Sequence, residues 1–159
     1  MMKTKNQINS SALLQTPFDR ALKYLLIRQR SVKEIHAYLL KKNYEQNDID
    51  EAIKRLIELK FLNDDDFTRV FIENRQRKGK SKRSIEFELK LKGVSKDQSE
   101  EILESAKSDY KTALEFITKR TKQYDRFERE EKQKKIISRL RSRGYDWETI
   151  SKVLKKIII

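Results

Sequence analysis

The amino-acid sequence predicts an all-α protein in which three tandem three-helix units stack into an elongated, curved, solenoid-like rod. Three observations predict this class. One helix-and-turn pattern recurs at residues 30–44, 80–94 and 130–145. Only three glycines and one proline occur in 159 residues, which favours helices with short connections. With 36% hydrophobic and 40% charged residues, the chain favours thin helical layers over one thick core.

The spacing of the copies divides the chain into a tail and three units. Residues 1–15 are polar and lack periodicity, which predicts a disordered or frayed tail. The units are predicted over residues 16–62, 63–108 and 109–159. Each unit buries little apolar surface alone, so stacking on its neighbours would complete the core.

Capping signals predict where several helices begin. Thr16 and Pro17 are residue types preferred at the N-cap and the first position of a helix. Ser31 begins an S-x-x-E capping box, and Ser95 begins an S-x-x-Q box. Asn63 is expected to cap the first helix of the second unit.

The second helix of each unit carries the repeat most clearly. Aligned apolar pairs predict one buried stripe per copy, and they are Ile35 with Leu39, Ile85 with Leu89, and Ile136 with Leu140. Each helix then reaches a turn at Asn43, Gly93 or Gly144. Glycine, and next asparagine, best tolerates the left-handed conformation that ends a helix. Two of the three glycines therefore occupy one structural position.

Residues 85–91 alternate between apolar and charged types, which alone would predict a β-strand. The alignment with the other copies predicts a helix instead. On that helix Phe87 and Leu91 form a second apolar stripe beside Ile85 and Leu89. We therefore expect the middle helix to be covered on both sides by neighbouring units.

Positive charge is unevenly distributed along the chain. The net charge is +13, and residues 75–92 carry eight Lys or Arg against two Glu. Residues 118–159 carry fourteen Lys or Arg against six Asp or Glu. This concentration indicates a polyanion or an acidic protein surface as partner. The alternative is that solvated lysines serve only solubility.

The segment "RQRKGKSKR", residues 75–83, is the strongest candidate for a polyanion-binding site. We interpret it as a basic loop that Gly79 and Ser81 keep flexible; a purely solvated loop is the alternative. Its basic residues are Arg75, Arg77, Lys78, Lys80, Lys82 and Arg83. A second group of candidates comprises Arg28, Arg30, Lys132, Lys135, Arg139 and Arg143. Lys132, Lys135 and Arg139 are spaced to share one helix face, while Arg143 near the helix end also suits the helix dipole.

Signals for catalysis are sparse. His36 is the only histidine and lies beside a buried stripe, so a packing role is expected. Asp64, Asp65 and Asp66 could hold Mg²⁺ in a nuclease, but acidic residues are common where a helix begins. No phosphate-binding glycine motif and no cysteine occur. We expect no enzyme activity, no metal, no cofactor and no membrane span, and a cytoplasmic location.

Two longer stretches resemble the RecX family, the bacterial regulators of RecA recombinase. They are "ALKYLLIRQRSVKEIHAYLLKKNY" and "LIELKFLNDDDFTRVFIENRQRKGKSKRSIEFELKLKGVS". The F-L-N-D-x-x-F-[TA]-R segment, the basic stretch after it and E-L-x-x-K-G-[VI] are its most specific part. The resemblance covers about residues 16–158 and is loosest in the third unit. Asn43 stands where the family usually has glycine.

The resemblance implies a fold of tandem three-helix repeats and a place in DNA recombination and repair. RecX-like proteins bind along the groove of the RecA–DNA filament and restrain its ATP hydrolysis and strand exchange. The implied partner is the RecA filament on DNA. From the charge of the chain we also expect binding to single- and double-stranded DNA without sequence preference, and a monomer is the default expectation. The alternative is an autonomous DNA-binding protein, since three-helix units with short turns also resemble helix-turn-helix modules.

Overall fold

A computed structural model describes residues 16–158, so the tail predicted over residues 1–15 lies outside the described residues. Within the described part every regular element is an α-helix and no strand occurs. The helices are α1 (Pro17–Leu25), α2 (Val32–Leu40), α3 (Gln46–Glu58), α4 (Asp64–Arg77), α5 (Lys82–Leu91), α6 (Lys96–Ser105), α7 (Asp109–Thr118), α8 (Thr121–Tyr124), α9 (Arg129–Arg141) and α10 (Trp147–Ile157). The all-α class is therefore confirmed.

The chain forms two compact units, one that extends to Asp64 and one that begins at Asp65. The first unit has a core between α1, α2 and α3. The second unit has two cores, one formed by α4 to α6 and the other by α7, α9 and α10 together with Tyr124 of α8. One core per three-helix repeat confirms the tandem-repeat prediction. The one-turn helix α8 is an addition to the third repeat.

The aligned apolar pairs form the centre of these cores. All six side chains have 0% exposure, and they are Ile35, Leu39, Ile85, Leu89, Ile136 and Leu140. The segment that resembles a strand, residues 85–91, is helical as the repeat alignment predicts. Tertiary burial of one stripe outweighs the local alternation of residue types.

The capping predictions at Thr16, Ser31 and Ser95 are confirmed. The hydroxyl of Thr16 accepts a hydrogen bond from the Asp19 backbone N–H, and Pro17 is the first residue of α1. Ser31 and Ser95 each form a capping box with the third residue of the following helix. These contacts satisfy backbone donors that a helix start leaves unpaired.

The three aligned turns adopt the left-handed backbone conformation. The φ angle is 62° at Asn43, 86° at Gly93 and 88° at Gly144. After each turn an apolar residue packs on the core, and its N–H donates to the carbonyl of the buried leucine at distances of 3.1 to 3.5 Å. The turn prediction is therefore confirmed for all three repeats.

The prediction that neighbouring units cover both sides of α5 is wrong. Phe87 is 64% exposed and Leu91 is 60% exposed, while Ile85 and Leu89 are fully buried. The third repeat contacts the second through the segment between α4 and α5, not through the Phe87 face. The Ser81 N–H donates to the Arg143 carbonyl at 3.1 Å, for example. A repeat pattern does not specify which face of a helix its neighbour covers.

Two aspartates accept a hydrogen bond from the first backbone N–H of the second helix of a repeat. An Asp64 carboxylate oxygen accepts from the Val32 N–H at 2.9 Å. An Asp109 carboxylate oxygen accepts from the Lys82 N–H at 2.8 Å. Val32 and Lys82 are each the first residue of their helix, so the same donor is satisfied in the same way in both repeats.

The folded structure shifts the pKa values of Asp109 and Asp146 in opposite directions. Burial raises the pKa of Asp109, although the hydrogen bond from Lys82 and its charge oppose this effect. The backbone N–H and the side chain of Thr149 lower the pKa of Asp146. The Asp109 contribution to stability is thus present below its unfolded pKa and lost as pH rises through the folded value. The Asp146 contribution is present above its unfolded pKa and lost as pH falls through the folded value.

Replacing each aspartate with asparagine separates these contributions. From about pH 2 to pH 6, the unfolding free energy of the unaltered protein minus that of Asp109→Asn should decrease as pH rises. The same difference for Asp146→Asn should increase, because asparagine retains the N-cap but does not ionise. Urea unfolding followed by circular dichroism measures both curves. If both free-energy differences changed in the same direction with pH, the assigned pKa shifts would be contradicted.

Candidate polyanion-binding site

Within the basic segment of residues 75–83, only residues 78–81 form the connection between two helices, so the loop is shorter than the sequence suggested. Helix α4 continues to Arg77 and α5 begins at Lys82. Gly79 is buried at φ 75° against the ring of Phe116, and Ser81 is fully buried as the N-cap of α5. Gln, Arg and Lys are good helix formers, so a run of charge does not end a helix. The predicted loop is therefore corrected to residues 78–81, in which Gly79 and Ser81 are buried and not solvated.

Arg75 and Lys80 share one carboxylate. The Arg75 Nε and the Lys80 Nζ contact different oxygens of Glu88, the latter at 3.6 Å. The Arg75 guanidinium also lies 4.5 Å from the centroid of the Phe71 ring. The structure brings these two predicted site residues together, and Glu88 neutralises part of their charge.

Lys82 and Arg77 also have partners within the chain, the first a backbone carbonyl and the second a carboxylate. The Lys82 Nζ donates to the Glu104 carbonyl at 3.2 Å. Arg77 pairs with Glu73 at 3.4 Å, where both side chains are mostly exposed. Such an exposed pair contributes about 0.2–1 kcal/mol and opens readily when an anion competes.

Lys78 and Arg83 are the least restrained cations of the segment. Both are exposed, and within residues 16–158 neither forms an ion pair. Arg83 lines an open groove of 680 Å³ along α5 and the start of α6. We call it the α5 groove; it is lined by Arg83, Phe87, Lys90, Val94, Lys96 and Gly144, among others. The lining also includes one carboxylate, that of Glu86, against three cations. An exposed aromatic ring with a surplus of cations can contact both bases and phosphates of a nucleic acid.

In the first repeat, the predicted site residues hold local structure together. Arg28 donates to both carboxylate oxygens of Glu34, at 2.9 and 3.3 Å. The Arg30 guanidinium lies 3.9 Å from the ring centroid of Tyr24, which stacks on Tyr38 at 3.9 Å. These contacts give Arg28 and Arg30 packing roles, and their role in polyanion binding stays a prediction.

In the third repeat, only part of the helix face predicted to carry Lys132, Lys135 and Arg139 is available to bind an anion. Lys132 pairs with Asp125 at 3.1 Å and its side chain is 18% exposed. Lys135 pairs with Glu131 at 3.2 Å, whereas Arg139 is exposed and has no ion pair within residues 16–158. Lys135 and Arg139 line a common cleft and Lys132 does not.

Arg143 is half-buried beside Phe116, with its guanidinium 4.2 Å from the ring centroid. Burial lowers its pKa, and the positive charges of Arg139 and Arg120 lower it further. Its Nε is buried and has no hydrogen-bond partner in the described part of the chain. Arg143 therefore adds its positive charge to that of the neighbouring Arg120 and Arg139.

Sequence reasoning missed several residues that lie with the predicted site. Phe87 reaches the α5 groove, and its spacing of four residues from Arg83 could have indicated this. Ser138 and Ser142 line the cleft of Lys135 and Arg139 at helical spacing. Arg126 joins them from the turn after α8; the sequence marks it as one of the third unit's cations, but it was not among the candidate site residues.

The possible acidic metal site finds no support. Asp64 accepts the Val32 N–H, and among residues 16–158 no group of three or more His, Cys, Asp or Glu is placed to hold a metal ion. His36 is hydrogen-bonded to the side chain of Gln46. None of the helices described is both long and apolar enough to span a membrane.

These features define a class, an all-α protein of three tandem three-helix repeats with cations concentrated in the second and third. Three family models match consecutive parts of the chain: the first three-helix domain of RecX at residues 18–56, the second at 63–103 and the third at 108–154. A regulatory protein RecX of Prosthecochloris aestuarii is 32% identical over 143 residues, covering 88% of this chain and 92% of that protein. The chain belongs to the RecX family.

Other relatives are longer than this chain. The regulatory proteins RecX of Lactobacillus gasseri and Bacillus pumilus are 34% and 33% identical over 86% and 87% of this chain. The alignments cover 52% and 54% of those proteins, so the chain spans about half their length. A crystal structure of RecX from Lactobacillus salivarius matches with a TM-score of 0.72 at 22% identity, over 89% of this chain and 94% of that one. That match shows the fold.

Proposed function

We propose that this protein modulates RecA recombinase, mainly as an inhibitor, by binding in the groove of the RecA–DNA filament. The observation that carries the proposal is the run of three consecutive RecX matches over residues 18–154. The relatives are named regulatory proteins, which supports a role without catalysis. The proposal includes a cytoplasmic monomer that needs no cofactor and acts in DNA recombination and repair.

Exposed cations of the second repeat are proposed to make the main contacts. Lys78 and Arg83 have no ion pair in the described chain, and Arg77 has only an exposed one. Phosphates or acidic side chains can compete for these groups at little cost. Arg75, Lys80 and Lys82 would add positive charge in the second repeat, and Lys135, Arg139 and Arg143 would add contacts in the third. Such contacts provide affinity without sequence preference.

The triple variant Arg77→Ala, Lys78→Ala, Arg83→Ala tests the assignment. It should largely abolish inhibition of the RecA ATPase on single-stranded DNA, while circular dichroism shows unchanged helicity. The matched control is Lys23→Ala, Lys54→Ala, Lys111→Ala, which removes three exposed charges elsewhere. Equal inhibition by the two variants would refute the site.

Binding to naked and RecA-coated DNA distinguishes the modulator from an autonomous DNA-binding protein. At physiological salt the proposal requires tighter binding to the coated strand. Equal or tighter binding to naked DNA with a clear sequence preference would favour the autonomous protein instead.

Glu88 offers a variant with increased binding. Glu88→Gln should raise the affinity for single-stranded DNA several-fold, because Arg75 and Lys80 lose their shared carboxylate and become available. The logarithm of affinity should also fall more steeply with salt, by about 0.7 in slope per added phosphate contact. Fluorescence anisotropy at several salt concentrations measures both effects.

Glu58→Gln is the control for this gain, since it changes net charge equally and releases only Lys54 of the first repeat. If both variants raise affinity by the same factor, net charge and not the released pair of cations explains the gain.

A further inference from the structure

The third repeat contains a second opening, a cleft of 380 Å³ between α8, the turn after it and α9. We call it the α9 cleft. It is lined by Gln123, Arg126, Lys135, Ser138, Arg139 and Ser142, with Tyr124 and Phe127 beside them. Its volume lies at the small end of the range of about 300–1,000 Å³ for ligand pockets.

The lining combines cations with hydroxyl groups and contains no carboxylate among the described residues. One face of α9 carries this lining, because Ser138, Arg139 and Ser142 lie three, four and seven residues after Lys135. Arg126 lines the cleft from the turn after α8. Three cations and two hydroxyl groups around one small opening form an arrangement suited to an anion with several oxygens.

Phe127 holds two of these cations at the cleft. The Lys135 Nζ lies 4.3 Å from its ring centroid, and the Arg126 guanidinium lies 4.8 Å from the same centroid. Lys135 also contacts Glu131, which lies outside the lining. Arg139 has no ion pair within residues 16–158 and is free to contact a ligand.

Some buried polar groups of the third repeat lack partners within residues 16–158. Tyr124 lines the cleft, and Arg143 does not line it but interacts electrostatically with Arg139 and Tyr124. The Tyr124 hydroxyl and the Arg143 Nε are buried and have no hydrogen-bond partner in the described chain. The nearby charges of Arg139 and Arg120 act on Arg143 and lower its pKa, after burial as the larger cause. Like charges held together repel one another, so a bound anion would stabilise this part of the repeat.

We propose that the α9 cleft binds a phosphate group through Arg126, Lys135 and Arg139, with Ser138 as a hydroxyl donor. The Ser142 hydroxyl lines the cleft but donates to the Arg139 carbonyl at 2.9 Å. The inference rests on the proposed function insofar as a nucleic-acid strand is the main source of phosphate near this protein. The group would be a phosphodiester within a strand, a terminal phosphomonoester or free phosphate. All three share the same recognition by charge-assisted hydrogen bonds.

The test uses the full chain without RecA, so its result does not depend on filament regulation. Amide chemical shifts of ¹⁵N-labelled protein are followed during titration with three probes, at ionic strength matched with chloride. The probes are inorganic phosphate, an oligothymidine of about 15 nucleotides carrying a 5′-phosphate, and the same oligothymidine with a 5′-hydroxyl.

We expect saturable shifts of the Ser138, Arg139 and Ser142 amides. Shifts with inorganic phosphate identify free phosphate as sufficient, and shifts with only the phosphorylated strand identify the terminal group. Equal shifts with both strands and none with inorganic phosphate identify the internal phosphodiester. Absence of cleft shifts with all three probes overturns the proposal.

Substitutions inside and outside the cleft distinguish binding in the cleft from an effect of overall positive charge. Arg126→Gln and Arg139→Gln should each weaken binding of the effective probe about tenfold, as loss of a charged hydrogen bond implies. Arg141→Gln removes an exposed charge of the same helix that does not line the cleft, and it should change affinity less than twofold. Equal losses in all three variants overturn the proposal. Loss of the phosphate site with normal RecA inhibition would leave the proposed function intact.

Discussion

Gly79→Ala is expected to lower the free energy of unfolding by about 3 kcal/mol. Gly79 has a φ of 75°, and a side chain in the left-handed region costs about 1–2 kcal/mol. An added Cβ would also overlap the ring of Phe116, and such overpacking costs about 1–3 kcal/mol. Urea unfolding followed by circular dichroism measures the loss.

Gly93→Ala is the matched control for this prediction. Gly93 has a similar φ of 86° but is exposed, so only the conformational cost of about 1–2 kcal/mol applies. The difference between the two variants reports the contact between the α4–α5 turn and Phe116 of the third repeat. If Gly79→Ala costs no more than Gly93→Ala, the second and third repeats do not pack through this contact.

Leu89→Ala should destabilise the protein by about 3 kcal/mol, within the range of about 2–5 kcal/mol for a buried leucine. Leu89 has 0% exposure and lies at the centre of the second core with Ile85 and Val94. Truncation leaves a cavity in a thin core that has few neighbours to fill it. Thermal and urea unfolding both measure the effect.

Phe87→Ala, two residues away on the same helix, should change stability by less than about 0.5 kcal/mol. Phe87 is 64% exposed, so little apolar burial is lost. A large loss from Phe87→Ala would show that its face is covered. The same variant should weaken binding to single-stranded DNA, because the ring lines the α5 groove beside Arg83.

The features predicted well from the sequence are those set by neighbouring residues. Ser31 and Ser95 form their capping boxes because all partners lie within four residues. The left-handed turns at Gly93 and Gly144 follow from backbone sterics. The helix over residues 85–91 was predictable only from its aligned copies, since its local pattern favours a strand.

The features that the sequence did not predict depend on distant contacts. Gly79 and Ser81 resemble flexible loop residues until Phe116 and Gly144 pack against them. The charge of Arg75 is partly neutralised by Glu88, thirteen residues away. Arg126 reaches the α9 cleft only because α8 and the turn after it lie beside α9. Charge alone therefore located the basic segments but not the cations that are free to bind.

We propose that this chain acts on RecA filaments through exposed cations and without catalysis of its own. The most direct measurement is the ATPase rate of RecA on single-stranded DNA, with this protein added at amounts well below one molecule per RecA. We predict a progressive fall in the rate at physiological salt, reduced or absent with Arg77→Ala, Lys78→Ala, Arg83→Ala. An unchanged rate up to equimolar amounts of folded protein would contradict the account.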